Sequence, residues 1–154
     1  MNQAKDKKIV VRNRKARYDY EITDTIEVGI SLVGSEVKSI RDGKVNISDA
    51  YAEISNGEVL LKNLHISPYK MSAENNHDPL RVRRLLLHKR EIRKLKAKTE
   101  QKGMTLIPLT IYISGKLVKI ELSLAIGRKK YDKRQVIAKA DADRKIQTAL
   151  KKDY

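Results

Sequence analysis

The chain contains no cysteine, no phenylalanine and no tryptophan, so its seven tyrosines supply all of its large aromatic side chains. Without cysteine, disulfides, thiolate metal sites and a thiol nucleophile are all excluded. Without Phe and Trp, the core must be built mainly from Ile, Leu, Val and Ala. Stacking on a nucleic-acid base would therefore fall to Tyr, His or Arg.

Negative charge is also scarce. The 154 residues include 34 Lys and Arg against 19 Asp and Glu, which gives a formal net charge of +15. An excess of this size attracts polyanions over a Debye length. Nucleic acid is therefore the first class of partner to expect, and an anionic membrane surface is the second. The length predicts one domain with a modest core and an extension.

The N-terminal sequence MNQAKDKKIVVRNRKARYDYE is basic and has no long apolar run. It therefore predicts neither a secretory signal nor a transmembrane segment. A soluble, cytoplasmic protein is the expectation.

Catalytic motifs are missing too. The sequence has no P-loop, no G-x-S-x-G and no H-E-x-x-H. His65, His77 and His88 are far apart and lack companions at metal-ligand spacing. We therefore expect no enzyme, no metal and no cofactor, although a hydrolase or nuclease with an unrecognised site stays open as an alternative.

Alternation of apolar and polar residues predicts the strands. Residues 9–11 offer a short strand, Tyr18, Tyr20 and Ile22 alternate with acids, and residues 26–32 continue that period.

Two hairpins are predicted from turn chemistry. The first covers residues 51–66 and turns at Asn56-Gly57, a pair typical of a primed turn. The second covers residues 105–125 and turns at Ser114-Gly115. Pro108 costs one ladder donor, which suits an edge strand or the start of a strand.

Two helices are predicted. Residues 36–41 suit a short helix closed by Asp42-Gly43, and residues 81–102 suit a long helix ended by Gly103. On the long helix one face would pack on the body, and Leu86 would stand in a basic stripe. The packing face comprises Leu85, His88, Ile92, Leu95 and Thr99, and the stripe comprises Leu86, Arg90, Arg93 and Ala97.

Hairpins with an inserted helix predict a mainly β fold with helices. The leading candidate is an antiparallel barrel of the oligonucleotide-binding (OB) type, closed or nearly so, with flanking helices. We assign this barrel to residues 1–126, with residues 1–8 as a flexible arm, and a separate tail to residues 127–154.

The tail has ten Lys or Arg, four Asp and few large apolar residues. It is too poor in apolar surface for a core of its own, so alone it should be disordered or a marginal helix. Asp132 and Gln135 have capping-box spacing. We infer a segment that becomes helical on binding; a solvated basic tail without a specific site remains the alternative.

Four runs occur in a distinctive order: NRKARYDYEI (13–22), GSEVKSIRDGKVNISDAY (34–51), HDPLRVRRLLLHKREI (77–92) and GRKKYDKR (127–134). In this order and spacing they closely resemble the small protein B family, the SsrA-binding proteins of bacterial trans-translation. The resemblance covers residues 9–134. Arg84 and Arg128 stand where family members often carry Lys.

The resemblance implies an OB-type barrel that binds the transfer-RNA-like part of tmRNA and brings it to stalled ribosomes. It also implies a tail that becomes helical in the empty messenger channel of the small subunit, beside the decoding centre and its ribosomal RNA. No membrane and no small-molecule substrate are implied. A structural ribosomal protein is the competing hypothesis, and it predicts presence on all ribosomes rather than enrichment on stalled ones.

Carried over to this sequence, the resemblance gives the body an RNA-binding face. Lysine and arginine there would neutralise phosphates, Tyr18 would stack, Leu86 would fill an apolar spot, and Glu27 would accept from a base amino group or orient an arginine. For Glu27 and Leu86, ordinary packing stays open as the alternative. The implied residues are Asn13, Arg14, Lys15, Arg17, Tyr18, Glu27, Lys38, Arg41, Leu86, Arg90 and Lys119.

In the tail, the resemblance assigns a joint and an anchor for the ribosome. Gly127 would be the flexible joint, Tyr131 would stack on a ribosomal RNA base, and Asp132 would cap the helix. The full set is Gly127, Arg128, Lys129, Lys130, Tyr131, Asp132, Lys133 and Arg134.

Overall fold

A computed structural model of the chain describes residues 7–72, 76–127, 134 and 137–144. Strands dominate, and three helices lie between them. In chain order the elements are β1 (Lys7–Arg12), α1 (Arg14–Asp19), β2 (Tyr20–Ile30), α2 (Gly34–Arg41), β3 (Val45–Asn46), β4 (Tyr51–Ser55), β5 (Glu58–Lys62), β6 (His65–Ile66), β7 (Arg83–Leu86), α3 (Lys89–Lys102), β8 (Thr105–Ser114) and β9 (Leu117–Gly127).

Six strands form a ring in the order β8-β4-β5-β7-β2-β9, and β9 pairs back onto β8. Every pairing is antiparallel. The ring has its fewest paired residues between β4 and β8, where Ala52 is the single partner of Leu106, and between β2 and β7, which share two residue pairs. This nearly closed antiparallel ring confirms the predicted OB-type architecture.

The inside of the ring is filled without Phe or Trp, as predicted. Inward positions of the strands alternate with outward ones, and to the apolar core α2 adds Ile40 and α3 adds Leu95. The largest contributors are Val28, Ile30, Ile40, Ile47, Val59, Leu61, Leu64, Ile66, Leu85, Leu95, Leu106, Ile111, Ile120, Leu122 and Leu124.

Both hairpins are confirmed. The first turns through Asn56 and Gly57, whose φ angles of 52° and 75° are those of a primed turn. In the second, Ser114 pairs with Leu117, so the loop comprises Gly115 and Lys116, one residue later than predicted.

The predicted long helix is wrong in its first turns. Residues Arg83–Leu86 form β7, and α3 spans only Lys89–Lys102, capped by Gly103, whose φ is 61°. Arg83 and Leu85 are buried while the residues between and after them are exposed, which is the period of a strand. Leu86 therefore does not share a helix face with Arg90. Of the predicted packing face, Leu85, Ile92 and Leu95 do pack on the core, Leu85 from β7 and the other two from α3.

The predicted strand at Tyr18 is also wrong. Residues Arg14–Asp19 form α1, and β2 begins at Tyr20. The helix forms because the Asn13 side chain caps it, accepting from the Ala16 backbone N–H at 3.1 Å. Ala16 then packs with Ile107, Leu109 and Ala125, so α1 lies on the outside of β8 and β9.

Residues 7 and 8 of the predicted flexible arm belong to β1, where Lys7 pairs with Ser114 and Lys8 with Ile113. The rest of that prediction, residues 1–6, lies outside the described residues. Pro108 is not at an edge or a strand start. It lies inside β8, where the register with β9 shifts between Pro108 and Thr110, and such an irregularity tolerates a missing donor.

The tail is helical at residue 134 and over residues 137–144, which we call the tail helix. This agrees with the predicted helix propensity of the segment. The predicted cap at Asp132 lies outside the described residues, and the order of the free tail stays a prediction.

Candidate nucleic-acid interface

Strand register brings outward-facing positions from five strands into one line. Leu86 on β7 is the partner of Gly29 on β2, and Gly29 is the partner of Lys119 on β9. Lys119 in turn is the partner of Tyr112 on β8, and Tyr112 of Ile9 on β1. We call Leu86, Gly29, Lys119, Tyr112 and Ile9 the outer row.

Leu86 is an apolar side chain held in the open. It is 48% exposed, although its neighbour Leu85 is buried. A Cβ at Gly29 would lie 3.3 Å from the Leu86 Cβ, closer than ordinary contact, so the glycine leaves room for this leucine to lie on the sheet. The predicted packing alternative therefore fails for Leu86 in the described fold, because its side chain faces outward.

Glu27 lies one outward position along β2 from Gly29. Its carboxylate accepts a hydrogen bond from the Tyr112 hydroxyl, and its Oε2 lies 3.7 Å from the Lys7 ammonium. The Tyr112 hydrogen bond lowers the pKa of Glu27, and Lys7 and Lys119 lower it further against a desolvation effect that raises it. Glu27 is therefore an anion on a basic surface, bonded to a neighbour on the outside of the barrel.

A groove of about 720 Å³ continues this surface toward α1. Arg17 is exposed and Tyr18 is 39% exposed there. Ala140 of the tail helix also lines the groove, so the tail helix lies beside it. Its lining includes Lys7, Arg12, Arg14, Arg17, Tyr18 and Tyr112.

Asn13 lines the groove but is only 4% exposed. Its amide donates to the Pro108 carbonyl at 3.0 Å and to the Ile47 carbonyl at 3.3 Å, besides capping α1. This side chain positions the helix that carries Arg14, Arg17 and Tyr18.

The other predicted body residues do not join the outer row. Lys15 pairs with Asp49 at 3.4 Å, and the Lys38 ammonium lies 5.6 Å from the Tyr69 ring centre. Arg41 is exposed at the end of α2, and Arg90 is exposed at the start of α3.

Of the predicted tail residues, Gly127 is the exposed last residue of β9 and Arg134 is exposed and helical. The remaining predicted positions lie outside the described residues: Arg128, Lys129, Lys130, Tyr131, Asp132 and Lys133.

A buried ion pair fixes β7, and with it Leu86. Glu36 on α2 and Arg83 on β7 are both 0% exposed, and Arg83 Nε donates to Glu36 Oε2 at 2.5 Å. Arg81 adds a second bond to Oε1 at 2.5 Å, and the Val33 N–H a third at 2.9 Å. Burial alone would raise the pKa of Glu36, but the hydrogen bonds from Arg81, Val33 and Arg83 together lower it.

Arg83 also donates to the Leu64 carbonyl at 2.6 Å and to the Pro79 carbonyl at 3.2 Å. Next to it, His77 Nε2 donates to the Ile66 carbonyl, and its Nδ1 lies 2.8 Å from the Ser35 hydroxyl. His77, Arg81 and Arg83 therefore hold α2, β6 and β7 together through hydrogen bonds.

The family model described as "SmpB protein" matches residues 10–152. The chain belongs to the SmpB family.

Curated SmpB-family relatives are similar along nearly their whole length. The SsrA-binding protein of Halothermothrix orenii is 58% identical over 144 residues, which cover 94% of this chain and 93% of the relative. That of Alkaliphilus oremlandii is 57% identical over 148 residues, which cover 96% of each.

A solved SmpB-family chain has the same fold. It comes from the structure described as "tmRNA-SmpB: a journey to the center of the bacterial ribosome", and it is 46% identical with a TM-score of 0.67. The match covers 84% of this chain and 94% of that one.

Sequence reasoning missed several residues of this surface, among them Lys7, Arg12 and Tyr112. The signal for Tyr112 was its place between Ile111 and Ile113, since alternation puts it on the outer face. Lys7 and Arg12 lie in a segment predicted as an arm or a short strand, and only the pairing of β1 with β8 brings them to the groove.

No group of three or more metal-ligating side chains occurs among the described residues. None of the described helices is long and apolar enough to cross a membrane.

Proposed function

We propose that this protein is a non-enzymatic adaptor that binds the tRNA-like domain of tmRNA and delivers it to stalled ribosomes for trans-translation. Membership of the SmpB family and the names of its relatives support this role. The observation that carries it for this chain is the outer row, which joins an exposed leucine to a lysine beside a basic groove. Partners of this kind would place its activity in the cytoplasm.

The chemistry of the surface suits unpaired RNA. Lys119, Arg14 and Arg17 neutralise phosphates, which gives affinity and a dependence on salt. Tyr18 offers a ring for stacking at the groove, a contact that contributes about 1–3 kcal/mol per base. Leu86 covers the apolar face of an unstacked base. Asn13 acts through the position of α1 rather than by touching RNA.

In this proposal the tail binds the ribosome. We assign residues 1–126 to binding tmRNA and residues 127–154 to the ribosome, where the tail enters the empty messenger channel and reports it. Its positive charge suits a channel lined with ribosomal RNA. A segment that orders only on contact spends part of its binding energy on folding, which favours release after each round.

Leu86→Asp should weaken binding of the tRNA-like domain by at least ten-fold, because it puts a carboxylate among RNA phosphates and removes the apolar contact. The measurement is a binding titration of the full chain. The melting temperature should fall by no more than a few degrees, because the side chain is 48% exposed.

The matched control is Leu80→Asp, which makes the same change at a leucine that is 53% exposed and lies outside the outer row. It should leave RNA affinity nearly unchanged. Equal losses in the two variants would mean that added negative charge, and not the outer row, governs binding.

A further inference from the structure

Glu27 is an anion on a surface proposed to bind a polyanion. Its side chain is 50% exposed, so burial does not explain it. An exposed carboxylate beside phosphates costs affinity unless it accepts a hydrogen bond that the phosphates cannot make. The question is what fixes this carboxylate and which of its oxygens is available.

Tyr112 holds the Glu27 carboxylate in place through a hydrogen bond. The tyrosine is only 5% exposed, and its hydroxyl donates to Glu27 Oε2. The Lys7 ammonium lies 4.9 Å from the centre of the Tyr112 ring and 3.7 Å from the same Oε2. Glu27 Oε1 accepts no hydrogen bond from the described residues. One oxygen is thus anchored, and the other is left without a hydrogen bond from the described residues on a side chain that is half exposed.

The surroundings of Glu27 and Tyr112 keep the carboxyl ionised and the phenol protonated. Lys7 on β1 and Lys119 on β9 lower the pKa of Glu27. Glu121 on β9 is the cross-strand partner of Glu27 and carries a like charge. Burial, and then the bond to Glu27, raise the pKa of Tyr112, so its hydroxyl stays a donor. The carboxylate is then an acceptor only.

Leu86 lies next to this acceptor. Leu86 is the partner of Gly29, and Glu27 is two residues from Gly29 on the same face of β2. Two residues of a strand span about 6.6 Å. A base lying on Leu86 would therefore present its edge to Glu27.

We propose that Tyr112 and Lys7 are positioning residues that aim Glu27 Oε1 at the exocyclic amino group of an unpaired base lying on Leu86. This rests on the proposed RNA-binding function. Adenine, cytosine and guanine carry such an amino group, and uracil does not. The contact therefore selects against uracil at one nucleotide of the bound RNA.

The first test is a double-mutant cycle on the full chain with Tyr112→Phe, Glu27→Gln and the double variant, titrated with the tRNA-like domain of tmRNA. Tyr112→Phe should weaken binding about ten-fold, the usual effect of losing a hydrogen bond to a charged group. In the Glu27→Gln background the same change should cost much less, because the positioned carboxylate is already gone. Tyr69→Phe, which alters a tyrosine in the segment after β6, should have no effect.

The second test measures how RNA affinity depends on the identity of each unpaired base. Each unpaired adenine, cytosine or guanine of the RNA is changed singly to uracil. For the unaltered protein one position should lose affinity, and Glu27→Gln should shrink that loss because an amide also donates to the uracil carbonyl.

The inference is overturned if Tyr112→Phe binds like the unaltered protein, if its effect is equal in both backgrounds, or if no uracil position responds to Glu27→Gln. Failure of the unaltered protein to prefer this RNA over another of equal length would instead overturn the proposed function itself.

Discussion

Glu36→Ala is expected to lower the free energy of unfolding by about 3–5 kcal/mol, the usual cost of removing one partner from a buried ion pair. Arg83 is 0% exposed and would keep its charge without the carboxylate that now accepts from its Nε at 2.5 Å. Arg81 and the Val33 N–H would lose a partner as well. Chemical denaturation of the full chain gives the value.

Glu53→Ala is the matched control. It removes the same side chain from an ion pair of similar length, 2.7 Å to Lys62, but that pair is partly exposed. Solvent screens an exposed pair, so it contributes little to stability and this variant should unfold nearly as the unaltered protein does. A loss of equal size in both variants would show that burial of Glu36 and Arg83 is not what fixes β7.

Changing Lys133 and Arg134 together to alanine is expected to abolish tagging of stalled chains while tmRNA affinity stays within a few-fold. Arg134 is exposed in a helical part of the tail. In the proposed role its guanidinium would pair with ribosomal RNA phosphates. The outer row that we assign to tmRNA is untouched. A translation assay on a messenger without a stop codon measures tagging, and a parallel titration measures affinity.

The control removes the same charge elsewhere in the tail, by changing Lys151 and Lys152 to alanine. If tail charge alone matters, the two double variants will lose tagging equally. A large drop in tmRNA affinity for the Lys133 and Arg134 variant would assign these residues to tmRNA instead.

The parts of the fold that depend on local chemistry were predictable from the sequence. Asn56-Gly57 specifies its turn by allowing positive φ at both positions, and Gly103 ends α3 for the same reason. The alternation from Val118 to Leu124 faces the core as predicted.

The error at residues 83–86 has a tertiary cause. RVRRLLLHKREIRKL is rich in helix formers, so propensity and period favour one continuous helix. A strand forms instead because Arg83 is buried in an ion pair with Glu36, which lies 47 residues away in sequence. No local pattern records that contact.

The site was predictable only as separate residues. The family resemblance named Glu27, Leu86 and Lys119, but their nearness depends on the register of β7, β2 and β9. Tyr112 could be assigned to the site only once that register was known, because it is the cross-strand partner of Lys119. Cross-strand partners follow from pairing, which a single sequence does not state.

The central claim is that the outer row and its groove read the RNA, and one titration tests it most directly. The full chain and its Lys119→Ala variant are titrated with the tRNA-like domain of tmRNA and with a competitor RNA of equal length, at several salt concentrations. We predict tight, selective binding by the full chain, and in the variant a weaker affinity with a salt slope lower by about one ion. Equal affinity for both RNAs, with only a steep salt slope, would contradict the account and leave a non-specific basic RNA binder.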